Sequence, residues 1–381
     1  ICFATMCKNE EECIKDTLES VYKYIDYWIV CDTGSTDKTC EIVTEFFKEK
    51  NIPGELFHHE WIGFDVNKSK MYELCYKKTD YVLHLDADDH IVGNFDFDKL
   101  FESKEKDADG FYFNLKRGKL RWKATILYKN NLRWKICGVA HTIITCLDKN
   151  NVVFSDYFVR PDVWIDAEER GVRKYDPNKY LKDAEKLKKQ FFDTLYDDPD
   201  CLNNRSVFYT AQSYLDSGNA SEALKWYSLY TKLKDTWIEE VFESYIRISV
   251  CLIALNRPYS HIEKNINKAI QIFGDRAEPY YIFGKYNNGQ KKWEKGYKLL
   301  EKALSMDYNT VKKKYKLFVQ REKYGKFVKD ELSVSCFWTN RLEKGKKYLL
   351  EIINDESFQI HKERLNTNMK HFNDRLSISN V

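Results

Sequence analysis

Tyr81-Val82-Leu83-His84-Leu85-Asp86-Ala87-Asp88-Asp89-His90 is the stretch whose reading decides the fold. Val82, Leu83 and Leu85 form a short apolar run, too brief for a helix and preceded by the polar Lys77-Lys78-Thr79-Asp80, so a buried strand is predicted. Three carboxylates follow where that strand ends. Open α/β sheets bind their ligands outside the carboxyl ends of the strands. On an extended backbone Asp86 and Asp88 would project to the same side. Two carboxylates so placed repel each other unless a cation or a proton lies between them, and their oxygens suit Mg2+ or Mn2+. The plainer alternative is an acidic surface turn. The rest of the first 180 residues weighs against it.

Residues 1–6 read as a strand, Lys8-Asn9-Glu10-Glu11-Glu12 as a turn, and Cys13, Ile14, Thr17, Leu18 and Val21 recur at helical spacing. Residues 27–31 form a second strand, which enters the polar loop Asp32-Thr33-Gly34-Ser35-Thr36-Asp37 before a helix over about residues 38–50. Strand, short loop and helix repeated in this way predict a parallel sheet with crossover helices. Gly34 permits close backbone approach, and Ser35 to Asp37 supply helix-capping side chains. Such a helix start can also bind an anion.

Three motifs in order, Met6-Cys7-Lys8-Asn9-Glu10-Glu11, then Val30-Cys31-Asp32-Thr33-Gly34-Ser35-Thr36-Asp37, then Leu83-His84-Leu85-Asp86-Ala87-Asp88, resemble the family 2 glycosyltransferases of GT-A fold. The subgroup carrying tetratricopeptide-like repeats after the catalytic domain is the nearest likeness. The resemblance implies a nucleotide sugar, usually a UDP-sugar, over the strand ends, with Glu10 and Asp32 on the donor and Asp86 and Asp88 as the D-x-D metal motif. Residues 61–69 resemble a segment that in relatives ends in Arg-Asn. Lys68-Ser69 stands there, keeping the cation and dropping the amide.

Residues 110–140 hold no Asp or Glu but eight Lys and Arg, interleaved with Phe111-Tyr112-Phe113 and Thr125-Ile126-Leu127-Tyr128. This reads either as a solvated hairpin or as a basic wall facing the donor diphosphate or an acidic acceptor. Nucleic acid is not expected, since no recognised motif accompanies the charge. His141 follows Gly138-Val139-Ala140. In the resembled subgroup a His-Glu pair stands at this place and its histidine can complete the metal site; Thr142 replaces the Glu here. A histidine ligand favours Mn2+ over Mg2+. Gly171-Val172-Arg173-Lys174-Tyr175-Asp176-Pro177 resembles a further family segment and makes Arg173 a candidate to neutralise diphosphate bidentately. Asp86, Asp88 and His141 are therefore the expected metal ligands, and Glu10, Asp32, Lys68, Asp86 and Arg173 the expected donor contacts. Asp89, Asp109 and Asp162 are the candidate general bases.

The chain has 381 residues, 43% hydrophobic and 15% aromatic, with a net charge of +3, enough to build two domains. Ile1 opens inside an apolar stretch, so further residues upstream are expected. No run approaches the roughly 18 apolar residues of a membrane span. Eleven cysteines without a C-x-x-C pair suggest neither a zinc ribbon nor a disulfide framework, and a reducing, cytoplasmic setting is expected. From Asp176 onward helical periodicity is continuous. Gly284, Gly296 and Ala303 each follow Ala211, Ala223 and Tyr230 by 73 residues, close to two units of a tetratricopeptide-like repeat of about 34. Residues 237–273 form a degenerate unit between them, and residues 312–329, with eight basic side chains, read as a solvated helix.

The expected architecture is thus α/β, a GT-A (Rossmann-like) nucleotide-sugar-binding domain over 1–175, followed by an all-α repeat domain over 176–381 able to dock a protein or glycan acceptor. The expected activity is metal-dependent, inverting sugar transfer from a UDP-sugar. The rivals are a non-catalytic adaptor, favoured by Ser69 and Thr142, and a sugar nucleotidyltransferase, which would need a Gly-rich loop where Lys8-Asn9-Glu10 stands.

Overall fold

The computed structural model describes residues 1–118, 120–167, 176–198 and 202–379. Two compact units divide between Leu202 and Asn203. The expected boundary near residue 175 lies among residues outside the description, and helix α5 (Lys179–Asp193) groups with the first unit.

Alternating burial builds the sheet of the first unit. In β1 (Cys2–Cys7), β2 (Tyr27–Asp32), β3 (Gly54–His58) and β4 (Tyr81–His84) successive side chains point to opposite faces. Phe3, Val30 and Leu83 pack with Leu18 of α1 (Ile14–Val21) and with Val43 and Phe47 of α2 (Thr39–Glu49). Ala4, Ile29 and Val82 pack on the other side with Met71, Tyr72 and Cys75 of α3 (Phe64–Cys75). Both faces are covered, which is why these strands read as nearly continuous apolar runs.

The remaining strands are β5 (His90–Val92), β6 (Gly110–Arg117), β7 (Leu120–Lys129), β8 (Trp134–Cys137), β9 (Ile143–Cys146), β10 (Phe154–Phe158) and β11 (Trp164–Asp166); α4 is Asp98–Glu102. The main sheet runs β3-β2-β1-β4-β7-β6-β11-β5, with β10 also on β6, while β8 and β9 form a separate hairpin. Strands β3, β2, β1 and β4 are parallel, and β7 is antiparallel to both β4 and β6. Consequently β6, and β11 which pairs parallel with it, end on the same edge as β1 to β4. The edge expected to carry the ligand therefore gathers Asp32, His58, Asp86, Arg117 and Asp166.

The second unit is all helix: α6 (Asn203–Asp216), α7 (Ala220–Tyr230), α8 (Ile238–Ala254), α9 (Tyr259–Ile272), α10 (Glu278–Gly289), α11 (Trp293–Leu304), α12 (Tyr308–Lys314), α13 (Lys326–Trp338), α14 (Leu342–Ile352) and α15 (Lys362–Ser379). The 73-residue offset maps α7 onto α11, and α8 with α9 is the longer unit between. Close helix packing explains the recurring small residues. A Cβ on Gly284 would lie 2.6 Å from Leu300 Cγ, and one on Gly296 would lie 2.3 Å from Asn288 Oδ1. Gly284→Ala should therefore destabilise the protein by about 1–3 kcal/mol through overpacking, read as a lower thermal midpoint.

Residues 312–329 depart from the expected solvated helix. Helix α12 stops at Lys314, residues 315–320 take no regular structure, and α13 begins at Lys326. Lys312, Lys313, Lys314 and Lys316 stay in water, Lys323, Lys326 and Lys329 are half-buried, and Tyr315, Val319 and Tyr324 are buried. The intervening backbone is held by side chains from α8 and from the turn between α9 and α10. Glu239 accepts from the amides of Lys316 and Leu317 at 2.9 and 2.6 Å. Arg276 donates to the carbonyls of Leu317 and Phe318 at 3.1 and 3.0 Å. Charge counting along the sequence could not reveal this, because the anchors lie 40 or more residues away.

All ten described cysteines are free thiols. Among the described residues no helix is long and apolar enough to cross a membrane.

Candidate active site

Two βα loops are knitted into one rim. The Asn9 amide donates to Ser35 Oγ at 2.9 Å, the Thr36 amide to Asn9 Oδ1 at 2.8 Å, and the Glu10 amide to Thr39 Oγ1 at 2.8 Å. Asp32, 2% exposed, accepts from the amides of Gly34 and Ser35 at 3.1 and 3.0 Å and shares a 3.1 Å hydrogen bond with His58 Nδ1. Burial alone would raise its carboxyl; the hydrogen bonds from Ser35, His58 and Gly34 outweigh that and hold it below the usual range. Gly34, at φ +99°, gives the turn its left-handed step. The start of α2 is not an open anion site. The Lys38 and Thr39 amides already donate to Glu11 and Asp37 at 3.0 Å each.

The Asp86–Asp89 segment is not extended, as the sequence suggested, but a reverse turn closed by the Asp89 amide on the Asp86 carbonyl at 3.0 Å. Thr17 Oγ1 fixes it by donating to the Ala87 carbonyl at 2.8 Å. Asp86 forms a 2.7 Å ion pair with Lys68, whose charge holds the carboxyl down at about 2. Asp89 is buried, and desolvation, followed by the charges of Asp86 and Asp88, pushes it up to about 8. Burial also raises Glu10, and Asp88 adds to that. Negative charge is thus in surplus here, answered by Lys68 and Arg117, which lower Asp86 and Asp89. Arg117 is placed by donating from Nε to the Ala167 carbonyl at 2.7 Å and by lying over the Trp122 ring.

Ser69 accounts for the departure at Lys68-Ser69. Its hydroxyl accepts from the Ile136 amide at 2.9 Å and donates to the Ile136 carbonyl at 3.2 Å. One hydroxyl thus serves as both donor and acceptor, as an amide would. This ties β8 beside α3, so the loop 138–142 leaves β8 at the end of α3 where Lys68 meets Asp86. His141 sits in that loop, exposed and at φ +50°. His84, just ahead of the turn, shares a 2.8 Å hydrogen bond with Tyr72, and its Nε2 lies 3.8 Å from Asp86 Oδ1. Burial, and then Lys68, hold this imidazole down at about 3, so it is neutral.

Two of the candidate bases lie away from this edge. Asp109 precedes β6, at the sheet edge where β4 begins, and is buried accepting from the Val153 amide at 2.8 Å and pairing with Lys149 at 2.5 Å. Asp162 precedes β11, at the end remote from Asp166. Sequence alone could not say which end of a strand each acid occupied, since both depend on strand direction. Asp166, missed because it belongs to no quoted motif, ends β11 beside Lys116 and lies 3.9 Å from His90 Nε2. Arg173 lies outside the described residues.

Asp86, Asp88 and His141 do not converge closely enough to share an ion in this conformation. Among the described residues the one trio whose ligand atoms lie within 4.8 Å of one another is Asp32, Cys40 and His58. That trio fits a metal poorly. The Asp32 carboxylate is already hydrogen-bonded, and desolvation, then Asp32 itself, raise the Cys40 thiol to about 11, keeping it protonated. The Asp86–Asp89 turn fits better, because three carboxylates gathered within four residues, raising one another's affinity for protons, are what a hard divalent cation takes up.

The sequence model of glycosyl transferase family 2 matches residues 2–158. A poly-beta-1,6-N-acetyl-D-glucosamine synthase of Staphylococcus epidermidis is 28% identical over 159 residues, 39% of this chain and 35% of the relative. An uncharacterized glycosyltransferase of Rickettsia bellii is 28% identical over 131 residues, 34% and 39% of the two chains. The chain thus spans little more than a third of these relatives' length. Among solved structures, S. aureus TarS 1-349 with UDP-GlcNAc is 15% identical over 72% of this chain and 89% of its own, with a TM-score of 0.36. MamA is 14% identical over 47% and 90%, with a TM-score of 0.35.

Proposed function

Residues 2–158 are a glycosyltransferase domain of family 2, and on that premise we propose that the protein transfers a sugar, with inversion, from a UDP-sugar to a glycan or protein acceptor. The observation that carries the reading is the charge balance at the strand ends: four carboxylates, Glu10, Asp86, Asp88 and Asp89, facing Lys68 and Arg117. Asp32 and its rim would hold the nucleoside. Lys68 and Arg117 would meet the diphosphate, Lys68 exchanging Asp86 for phosphate oxygens. Asp86 and Asp88, with His141 if its loop moves inward, would hold Mn2+ or Mg2+, which supplies Lewis-acid stabilisation of the departing diphosphate when bound.

The acceptor proton needs a base. Asp166 suits that role better than Asp89, because Asp89 is buried beneath the turn while Asp166 remains partly open at the same edge. In an inverting transfer the base takes the acceptor proton as the acceptor oxygen attacks the anomeric carbon, and the nucleoside diphosphate leaves from the opposite side. Asp166→Asn should lower kcat by about 10²–10⁴-fold with donor KM little changed. Steady-state UDP release would show this, and an unchanged kcat would place the base elsewhere.

The test of the function itself is calorimetry with UDP, with and without Mn2+, followed by UDP release from a panel of UDP-sugars. N-acetylglucosamine, the sugar in the name of the S. epidermidis relative, is the first to offer. Metal-dependent UDP binding with turnover supports transfer. Binding with no turnover on any acceptor supports the adaptor reading, and no UDP binding rejects transfer from a UDP-sugar.

A further inference from the structure

The helical unit exposes an aromatic surface that its own core does not use. Trp293 opens α11 and Trp338 closes α13, and their indoles stack at 5.4 Å between centroids and 13° between planes. Trp338 is 56% exposed, far more than a tryptophan held only for packing. The pair lines a shallow depression of about 590 Å3 with lysines on its rim, within the roughly 300–1,000 Å3 common for small-ligand sites.

Its charges are unequally satisfied. Glu294 is neutralised by a two-pronged pair with Arg341 at 2.8 and 3.0 Å, and Lys295 pairs with Glu263. Lys291 and Lys292 have no carboxylate partner among the described residues; Lys292 lies 3.3 Å over the Tyr259 ring. The surface therefore presents a flat π-face beside two ammonium groups that no carboxylate neutralises. A pyranose offers C–H groups on its flat face that suit the electron-rich indole. A ring carboxylate would then fall within reach of the lysines.

We propose that this indole pair with Lys291 and Lys292 is a docking site for an acidic glycan whose sugars carry ring carboxylates. The site is built to accept one sugar face against Trp338 and its carboxylate against the lysines. Binding does not require the transferase reading; only its use in capturing acceptor rests on that.

The test uses the full chain and hexagalacturonate as probe, followed by tryptophan fluorescence, with neutral cellohexaose in a parallel arm. Hexagalacturonate should bind and shift the emission, weaken at least tenfold with 0.5 M salt, and outcompete cellohexaose. Trp338→Ala should weaken it at least tenfold and Lys291→Glu several-fold, while UDP binding to the same variants stays at the parent value. Should Trp338→Ala perturb the fold, seen as lost helical circular dichroism, Lys291→Glu carries the test alone. Unchanged affinity in the readable variants, equal binding of the neutral oligomer, or equal competition by polyglutamate would each overturn the proposal. Because UDP binding is read separately, loss of the glycan and loss of the transferase site are distinguishable.

Discussion

Asp88→Ala is expected to reduce sugar transfer about 10³-fold while leaving the melting temperature unchanged or higher. The two halves of that result come from one fact. Asp88 adds negative charge to a turn that already has too much: its field raises the Glu10 and Asp89 carboxyls. Removing it relieves that repulsion, which offsets the loss of the side chain's own contacts. A charge that is repelled where it stands is the kind that a binding site retains for function. Its proposed work is to hold a divalent ion against diphosphate, which contributes several kcal/mol to the departing charge, each 1.4 kcal/mol being about tenfold in rate. Asp86→Ala is a less clean variant, because it also frees Lys68. Steady-state UDP release and differential scanning fluorimetry on Asp88→Ala read the two halves separately. Near-parent turnover would remove the D-x-D reading. Lost turnover with a collapsed midpoint would make Asp88 a structural residue instead.

The fold was legible wherever burial has a period. Phe3, Val30 and Leu83 against Ala4, Ile29 and Val82 alternate in the sequence as they do across the sheet, and Ile14, Thr17, Leu18 and Val21 mark the buried stripe of α1. The 73-residue spacing of small residues foretold the matching helices because Gly284 and Gly296 are set by backbone approach. The site was legible as motifs and obscure as geometry. Asp86 and Asp88 stand out as a motif in the sequence, but a single amide-to-carbonyl bond turns their backbone away from the extended path. Asp109 and Asp166 are both acids at strand termini. One starts its strand and one ends it, and only the pairing through β7 and β6 assigns their edges. Arg117 was one cation among eight in residues 110–140 until the hairpin brought it to the turn.

Arg276→Met is expected to destabilise the helical unit by about 3–5 kcal/mol, the cost of leaving a buried ionic group without its partner. Arg276 and Glu278 are both fully buried, and two guanidinium N–H groups reach the carboxylate at 3.2 and 2.9 Å. The same guanidinium lies over Phe242 at 4.4 Å and donates to the carbonyls of Leu317 and Phe318. Its loss would strand one charge and two carbonyls in the interior. Glu278 would retain the Gln320 amide and the Tyr324 hydroxyl, at 3.1 and 3.0 Å, so the charge would be poorly held rather than bare. Phe318, at φ +47°, would meanwhile keep its strained backbone without the hydrogen bond that holds it. A half-exposed pair offers the contrast: Lys326→Ala, which removes the partner of Asp355, should leave the urea midpoint nearly unchanged. Adding Glu278→Gln to Arg276→Met should cost less than the sum of the two single changes, since the second no longer leaves a charge behind. Urea denaturation followed by circular dichroism measures all four variants. A loss below about 1 kcal/mol in Arg276→Met would mean that residues 315–320 are held by Glu239 and by their apolar side chains, and that the buried ion pair is incidental. A loss in the expected range makes this arginine, indistinguishable in the sequence from a solvated one, a second anchor beside Glu239 of the segment joining α12 to α13.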